Sequence, residues 1–299
     1  MSPKLLVSRC DRLGDLVLSL PALGYLRDAG MKSIWLHTST YAHAIGEWAQ
    51  YNGLVDGVWA EGEETPLALL SDESVSGLSL FHCPEAVRAF RALGLKDTLG
   101  PRTKLNALWS YRSSVAQHRS RVEKSEMAYN VDMARAFLAR RGLKAPEFRG
   151  LPALKVPPTW VSPAKRADLV IVASNGGSAH NWSMDRYIEH ARHAMDTEGK
   201  SVQFLIHGTD AEDRIHAFRA SSIVSRAELL PSFSSLRELV AHIAASGELL
   251  SSSTGPLHIA HAAGVPVIGI YPAQPLVQSY KRWRPDGYWH ASPVKWLHI

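Results

Sequence analysis

The stretch "KLLVSRCDRLGDLVLSLPAL", residues 4–23, decides the reading of this chain. Its first five residues, "KLLVS", form a short apolar run of strand length. A helical pattern from about Asp15 to Asp28 follows it. The Gly14-Asp15 pair sits where the one gives way to the other. A strand that feeds a helix within a few residues is the opening of a parallel α/β sheet.

The same rhythm runs outward. "SIWLH" (33–37) is followed by helical "AHAIGEWA" (42–49), and "LVDGVWA" (54–60) and "GLSLFHC" (77–83) read as further strands. "PEAVRAFRALG" (84–94) reads as a helix closed by Gly94. The strands are apolar throughout rather than alternating, as expected of a sheet covered on both faces. Residues 101–125 break the pattern with Arg102, Lys104, Arg112, Arg119, Arg121 and Lys124 and few acids. They read as a basic loop region, either a solvated surface or a contact for an acidic acceptor or a membrane face. Helix "EMAYNVDMARAFLARRG" (126–142) follows, with Gly142 as its cap. Residues 144–166 hold Pro146, Pro152, Pro157, Pro158 and Pro163, which is linker chemistry.

Beyond the linker the rhythm restarts. Strands are expected at "DLVIVAS" (168–174), "SVQFLIHG" (201–208), "ELLSS" (248–252) and "VPVIGIYP" (265–272). Between and after them lie helices, the first with Ser183 as N-cap. The domains expected are 1–150 and 167–299, joined by a proline-rich segment, 151–166. Each is a doubly wound α/β domain, and two such domains facing each other make a central cleft at the carboxyl ends of their strands. No repeat is visible at the level of residue identity.

Composition bounds the function. The chain has 299 residues, 45% hydrophobic and 20% charged, with a net charge of +5. No apolar run is long enough for a transmembrane helix, and the N-terminus lacks a signal peptide's apolar core, so a cytoplasmic protein is expected. The basic excess suits an anionic ligand or membrane surface, but it is too small and scattered for nucleic acid. The two cysteines, Cys10 and Cys83, make no disulfide framework and have no metal-ligand spacing. The i,i+3 histidine pairs His190/His193 and His258/His261 come with no H-E-x-x-H, so no metal site is expected. There is no G-x-S-x-G elbow, no G-x-G-x-x-G fingerprint and no Walker A ending, which argues against a serine hydrolase, a nicotinamide enzyme and a P-loop enzyme.

Three stretches carry the candidate site. Asp15 either favours the positive end of a helix dipole, with Gly14 easing the turn, or is a general base. At an ordinary carboxyl pKa of about 3.9 it would be ionised at neutral pH. "SSSTGPLH" (251–258) places hydroxyls, a glycine and a helix start together. That is either a plain N-cap at Ser253 or Thr254 or an anion site of Ser253, Thr254, Gly255 and His258. "SNGGSAHNWSMDRY" (174–187) offers a Gly176-Gly177 turn that lets a ligand approach the backbone, and His180 as a phosphate donor or a plain surface histidine.

Taken together, "RCDRLGDLVLSLPAL", "EMAYNVDMARAFL", "DLVIVASNGG…NWSMDRYIEHA", "FLIHGTDAED", "SSSTGPLHIAHAAGVPVIGIYP" and "KRWRPDG" resemble glycosyltransferase family nine, the ADP-heptose:lipopolysaccharide heptosyltransferases and their relatives. The pieces cover most of the chain in family order. The resemblance implies a GT-B fold of two Rossmann-like domains, the first binding a glycan acceptor such as a lipopolysaccharide core and the second a nucleotide-diphosphate sugar donor. It implies an inverting transfer with no metal and no cofactor, with Asp15 as base and the donor diphosphate on Thr254, Gly255 and His258. Further contacts to phosphate or acceptor are expected from Arg12, Gly14, Lys281 and Arg282. The basic residues of 101–125 permit peripheral contact with the inner face of the cytoplasmic membrane. Two positions depart from the family pattern: Ser253 stands where characterised members carry Asp, and His180 where they carry Lys. Those departures keep two alternatives open, a non-catalytic nucleotide- or glycan-binding relative and a nucleotide-sugar epimerase on the same fold.

Overall fold

The computed structural model describes residues 4–70, 74–102, 110–162, 164–173, 181–284 and 294–298. The chain forms two compact units, Met1–Leu151 and Pro152–Ile299. Residues 174–180, with Gly176 and His180, lie outside the described residues, as does Lys104.

The first unit runs β1 (Lys4–Arg9), α1 (Leu13–Val17), α2 (Leu20–Asp28), β2 (Ser33–Thr38), α3 (His43–Tyr51), β3 (Gly57–Ala60), α4 (Leu67–Leu70), β4 (Ser76–Ser79), α5 (Pro84–Ala92), β5 (Asp97–Arg102), β6 (Ser113–Ala116) and α6 (Glu126–Arg140). Its six strands lie in the order β3-β2-β1-β4-β5-β6. All are parallel, with Leu5 beside Ile34 on one flank of β1 and Ser76 on the other. Leu5, Leu6, Val7, Ile34, Leu36 and Leu78 are fully buried, as the unbroken apolar strands require. The single helix expected over 15–28 is two. α1 ends at Val17, and α2 restarts with Pro21 in its first turn, where the missing N–H costs nothing.

The second unit runs β7 (Leu169–Val172), α7 (Met184–Thr197), β8 (Val202–Leu205), α8 (Ala211–Arg219), β9 (Glu228–Leu229), α9 (Leu236–Ala245), β10 (Glu248–Ser252), α10 (Gly255–Ala262), β11 (Val267–Tyr271), α11 (Tyr280–Trp283) and β12 (Val294–His298). The order is β12-β11-β10-β7-β8-β9, again all parallel. Counted from its own first strand, each unit has the same winding: the first strand is central, the next two lie on one side and the last three on the other. The direction of winding therefore reverses between β1 and β4 in the first unit and between β7 and β10 in the second. Ligands of open α/β sheets bind at such points, beyond the carboxyl ends of the strands.

The proline-rich segment is partly packed. Leu151 and Leu154 are buried, and the Leu154 N–H donates to the Ala262 carbonyl at 2.8 Å. Among the described residues no helix is long and apolar enough to cross a membrane.

At Gly247 the space beside the α-carbon is filled by backbone. A Cβ on Gly247, at the foot of β10, would stand 2.6 Å from the Asp168 carbonyl oxygen. That oxygen belongs to the backbone leading into β7 and cannot swing away. Gly247→Ala is expected to cost about 1–3 kcal/mol and lower Tm by roughly 5 °C. An unchanged melting curve would show that β7 and β10 tolerate separation at that end.

Candidate active site

The carboxyl end of β1 delivers Arg9 into the first unit's interior, where its side chain has no exposure. Every nitrogen of the guanidinium donates. Nε donates to Asp11 Oδ1 at 2.6 Å, Nη1 to Asn130 Oδ1 at 3.0 Å, and Nη2 to both Asp15 Oδ1 at 2.8 Å and Glu126 Oε1 at 3.2 Å. It also lies 5.2 Å from the centre of the Phe81 ring, just past β4. Three negative partners outweigh the cost of burying a cation here. Burial alone lowers a guanidinium pKa, but Asp11, Asp15 and Glu126 together raise that of Arg9.

Arg119 completes the set. Its Nε donates to Gln117 at 2.9 Å, Nη1 to Glu126, and Nη2 to the Leu80 carbonyl at 2.6 Å. This corrects the reading of residues 101–125 as one basic loop. Arg119 is buried and ion-paired, while Arg102, Arg112, Arg121 and Lys124 are exposed. The segment also supplies β6 and the end of β5, which pair with each other in parallel.

Asp15 lies in the first turn of α1 with 13% of its side chain exposed. Its carboxyl does not keep an ordinary pKa. Burial raises it first, Asp11 and Glu126 add to the rise, and Arg9 and Arg119 oppose it, leaving it at about 7. The acid therefore sits near the midpoint of its titration at neutral pH, where a group serves best as a proton acceptor. Gly14 shapes the same turn, and Arg12 is the exposed N-cap residue of α1.

In the second unit β10 ends in Ser251 and Ser252, and α10 begins at Gly255. Thr254 is the N-cap residue, yet its side chain makes no capping hydrogen bond. Instead its hydroxyl shares a 3.0 Å hydrogen bond with Ser251 Oγ and lies 3.3 Å from the Ser252 carbonyl. The plain N-cap reading requires a side chain on the first-turn N–H groups, and Thr254 does not provide one. Ser252 Oγ, Ser253 Oγ and His258 Nδ1 are buried with no hydrogen-bond partner among the described residues. His258 is 3% exposed, and burial, with His261 adding, lowers its pKa to about 3. It is a neutral N–H donor rather than a cation. Lys281 is exposed on α11, and Arg282 lies 4.9 Å from the Trp283 ring centre beside it. α11 sits past the carboxyl end of β11, its Tyr280 ring 5.3 Å from that of Tyr271.

The structure thus gathers Arg12, Gly14 and Asp15 at one reversal of winding, and Ser253, Thr254, Gly255 and His258 at the other. Arg9, Arg119, Glu126 and Asn130 are the residues that sequence reasoning did not assign to the site. Glu126 and Asn130 had a legible signal, because i,i+4 spacing puts two polar side chains on the face of α6 that otherwise carries Met133, Ala134 and Phe137. Among the described residues no group of three or more His, Cys, Asp or Glu is placed to hold a metal ion.

Each unit is a doubly wound parallel sheet; the first holds an acid titrating near neutrality, and the second a helix start without a side-chain cap, a kind of end that suits an anion. The sequence profile of glycosyltransferase family 9 (heptosyltransferase) matches residues 92–285. The chain belongs to that family and is a glycosyltransferase. A relative from Haemophilus influenzae, itself assigned only provisionally as a glycosyltransferase, is 25% identical over 303 residues, covering 94% of this chain and 86% of its own. E. coli heptosyltransferase WaaC with ADP has a similar fold, with a TM-score of 0.71 and 15% identity over 98% of this chain and 93% of that one. E. coli ADP-heptose lps heptosyltransferase II has a TM-score of 0.73 and 17% identity over 97% of this chain and 89% of that one. The fold is GT-B.

Proposed function

We propose that this enzyme transfers heptose or a related sugar, with inversion and without a metal ion, from an ADP-linked donor to a lipopolysaccharide-core or similar glycan acceptor. Asp15 is the general base. It accepts the proton of the acceptor hydroxyl as that oxygen attacks the anomeric carbon of the donor, and the nucleoside diphosphate leaves from the opposite face. Negative charge builds on the leaving diphosphate. The first-turn N–H groups of α10 and the N–H of His258 stabilise it. Ser253, Thr254, Gly255 and His258, with Gly176 and His180, hold the donor. Arg12, Gly14, Lys281 and Arg282 meet phosphate or acceptor. The names of the E. coli enzymes, with ADP and ADP-heptose, support the choice of nucleotide. The protein is placed in the cytoplasm, and exposed Arg102, Arg112, Arg121 and Lys124 support peripheral contact at an anionic membrane face.

The observation that carries this reading is the pairing of a helix start without a side-chain cap with three buried polar atoms around it that have no hydrogen-bond partner among the described residues. Unpartnered buried polar groups are costly, so such a cluster points to a ligand that satisfies them. A thermal-shift screen against ADP, GDP, UDP and CDP tests it. ADP is expected to raise Tm, because a ligand bound only to the native state stabilises it by mass action. His258→Ala is expected to weaken ADP binding by ten-fold or more, the loss of one hydrogen bond to a charged group. No shift with any nucleotide would overturn the donor assignment and favour a non-catalytic relative.

A further inference from the structure

Four cations surround a cavity at the amino end of the first unit's sheet. It has a volume of about 720 Å³, and Lys96, Arg112, Arg140 and Arg141 line it together with Asp97 and Ser76. β4 begins at Ser76 and β5 at Asp97, while Arg140 and Arg141 close α6. Asp15 follows the carboxyl end of β1, and β1, β4 and β5 are parallel, so the cavity and Asp15 lie at opposite ends of the sheet.

Among the described lining residues Asp97 is the one carboxylate, and it is already shared. Its Oδ1 accepts from Arg140 Nε at 3.3 Å and Nη2 at 3.2 Å, and its Oδ2 from Arg141 Nη2 at 2.7 Å and Ser76 Oγ at 3.3 Å. Arg140 Nη1 donates to Ser113 Oγ, and Arg141 Nη2 also to Ser76 Oγ. Arg141 Nε is buried with no hydrogen-bond partner among the described residues. Lys96 and Arg112 are exposed, and neither makes an ion pair among the described residues. The negative end of a helix favours arginines for its own sake, which accounts for Arg140 and Arg141. It does not account for Lys96 and Arg112 around the same space, nor for a buried guanidinium N–H left over. Like charges around one hollow repel each other and focus a positive potential in it, and a buried donor without a partner is costly. One anion relieves both.

We propose that this cavity binds a phosphate monoester, at a site separate from the one built around Asp15. Guanidinium forks meet phosphate oxygens in pairs, and a monoester carries about two negative charges at neutral pH. The volume falls within the roughly 300–1,000 Å³ of small-molecule pockets, so the phosphate has room to carry a polar body. That body is a sugar or the head group of an anionic lipid.

Two titrations of the whole chain present the same chemistry from the two sources: calorimetry with glucose 6-phosphate, and co-sedimentation with phosphatidylcholine vesicles containing phosphatidic acid. Binding of the sugar phosphate assigns a soluble ligand, and binding in the vesicle arm alone assigns a lipid head group. Glucose and pure phosphatidylcholine vesicles should not bind. Lys96→Gln combined with Arg112→Gln should weaken binding by ten-fold or more, the loss of two charge-assisted contacts. Its melting curve should be little changed, because both side chains are exposed. Arg141→Lys keeps the charge without the Nε–H and should weaken binding roughly three- to ten-fold; if that variant fails to fold, the double variant carries the test. Excess ADP should not displace the ligand, because the donor is assigned to the second unit. No binding in either arm overturns the proposal. So does an affinity that the double variant leaves unchanged, or displacement by ADP, which would put the phosphate on the donor's site. A chain that binds glucose 6-phosphate here and fails to bind ADP would overturn the donor assignment and leave this site standing.

Discussion

Asp15→Asn is expected to lower the rate of sugar transfer by about 10²–10⁴-fold, the usual worth of a positioned general base, while the ADP-induced rise in Tm stays as it was. The amide keeps the size of the carboxyl and cannot accept the proton. The native enzyme's kcat/KM should rise with pH through about 7, because the ionised form is the base and burial has raised its pKa to that value. Stability should show the opposite trend. The carboxyl's pKa is about 7 folded against an ordinary 3.8, so the folded state holds its proton more tightly than the unfolded state does. The stabilising contribution is present in full below about pH 4 and is lost as pH rises through 7. Asp15→Asn should therefore gain on the native protein as pH rises over that window. A variant that keeps full activity would end the base assignment. A native lead that grew with pH would show that the carboxyl is not raised.

Arg9→Met should be the most damaging single change to stability, costing about 3–5 kcal/mol at pH near 8 and lowering Tm by roughly 10 °C. Methionine fills similar space, so the loss measures charge rather than a cavity. Without Arg9, Asp11 and Asp15 lose their guanidinium and Glu126 keeps only Arg119. The deficit should shrink towards about pH 5, because the abandoned carboxylates can then protonate. Arg9→Lys should not restore the native value, since one ammonium, with three N–H on a single nitrogen and no planar fork, cannot serve Asp11, Asp15, Glu126 and Asn130 together. Denaturant titrations at both pH values measure this. A loss below about 1 kcal/mol would place the cluster with ordinary surface pairs.

Legibility in the sequence varied from element to element. β1, β2, β7, β10 and β11 were plain because buried parallel strands must be apolar on both faces. β5, "DTLGPR", was missed because Gly100 and Pro101 argue against an inner strand. Space explains the glycine: a Cβ on Gly100 would stand 2.2 Å from the Tyr111 ring. β6, "SSVA", is a short edge strand with little apolar content to announce it. β9, at two residues, is too short to carry a period. Arg119 looked like its neighbours Arg112 and Arg121 because a basic run carries no local sign of which member turns inward.

By itself the sequence determined that this is a parallel α/β chain in two wound halves, with an acid after the first strand and a hydroxyl-glycine turn after the penultimate apolar strand of the second half. These are local properties, set by which residues follow which. Only the tertiary structure decided that Asp15 is not an ordinary carboxylate. Its pKa depends on Arg9, Glu126 and Arg119, which are brought beside it from up to 111 positions away along the chain. Proton affinity depends on burial and on distance to other charges, and neither is a property of a residue's neighbours in sequence.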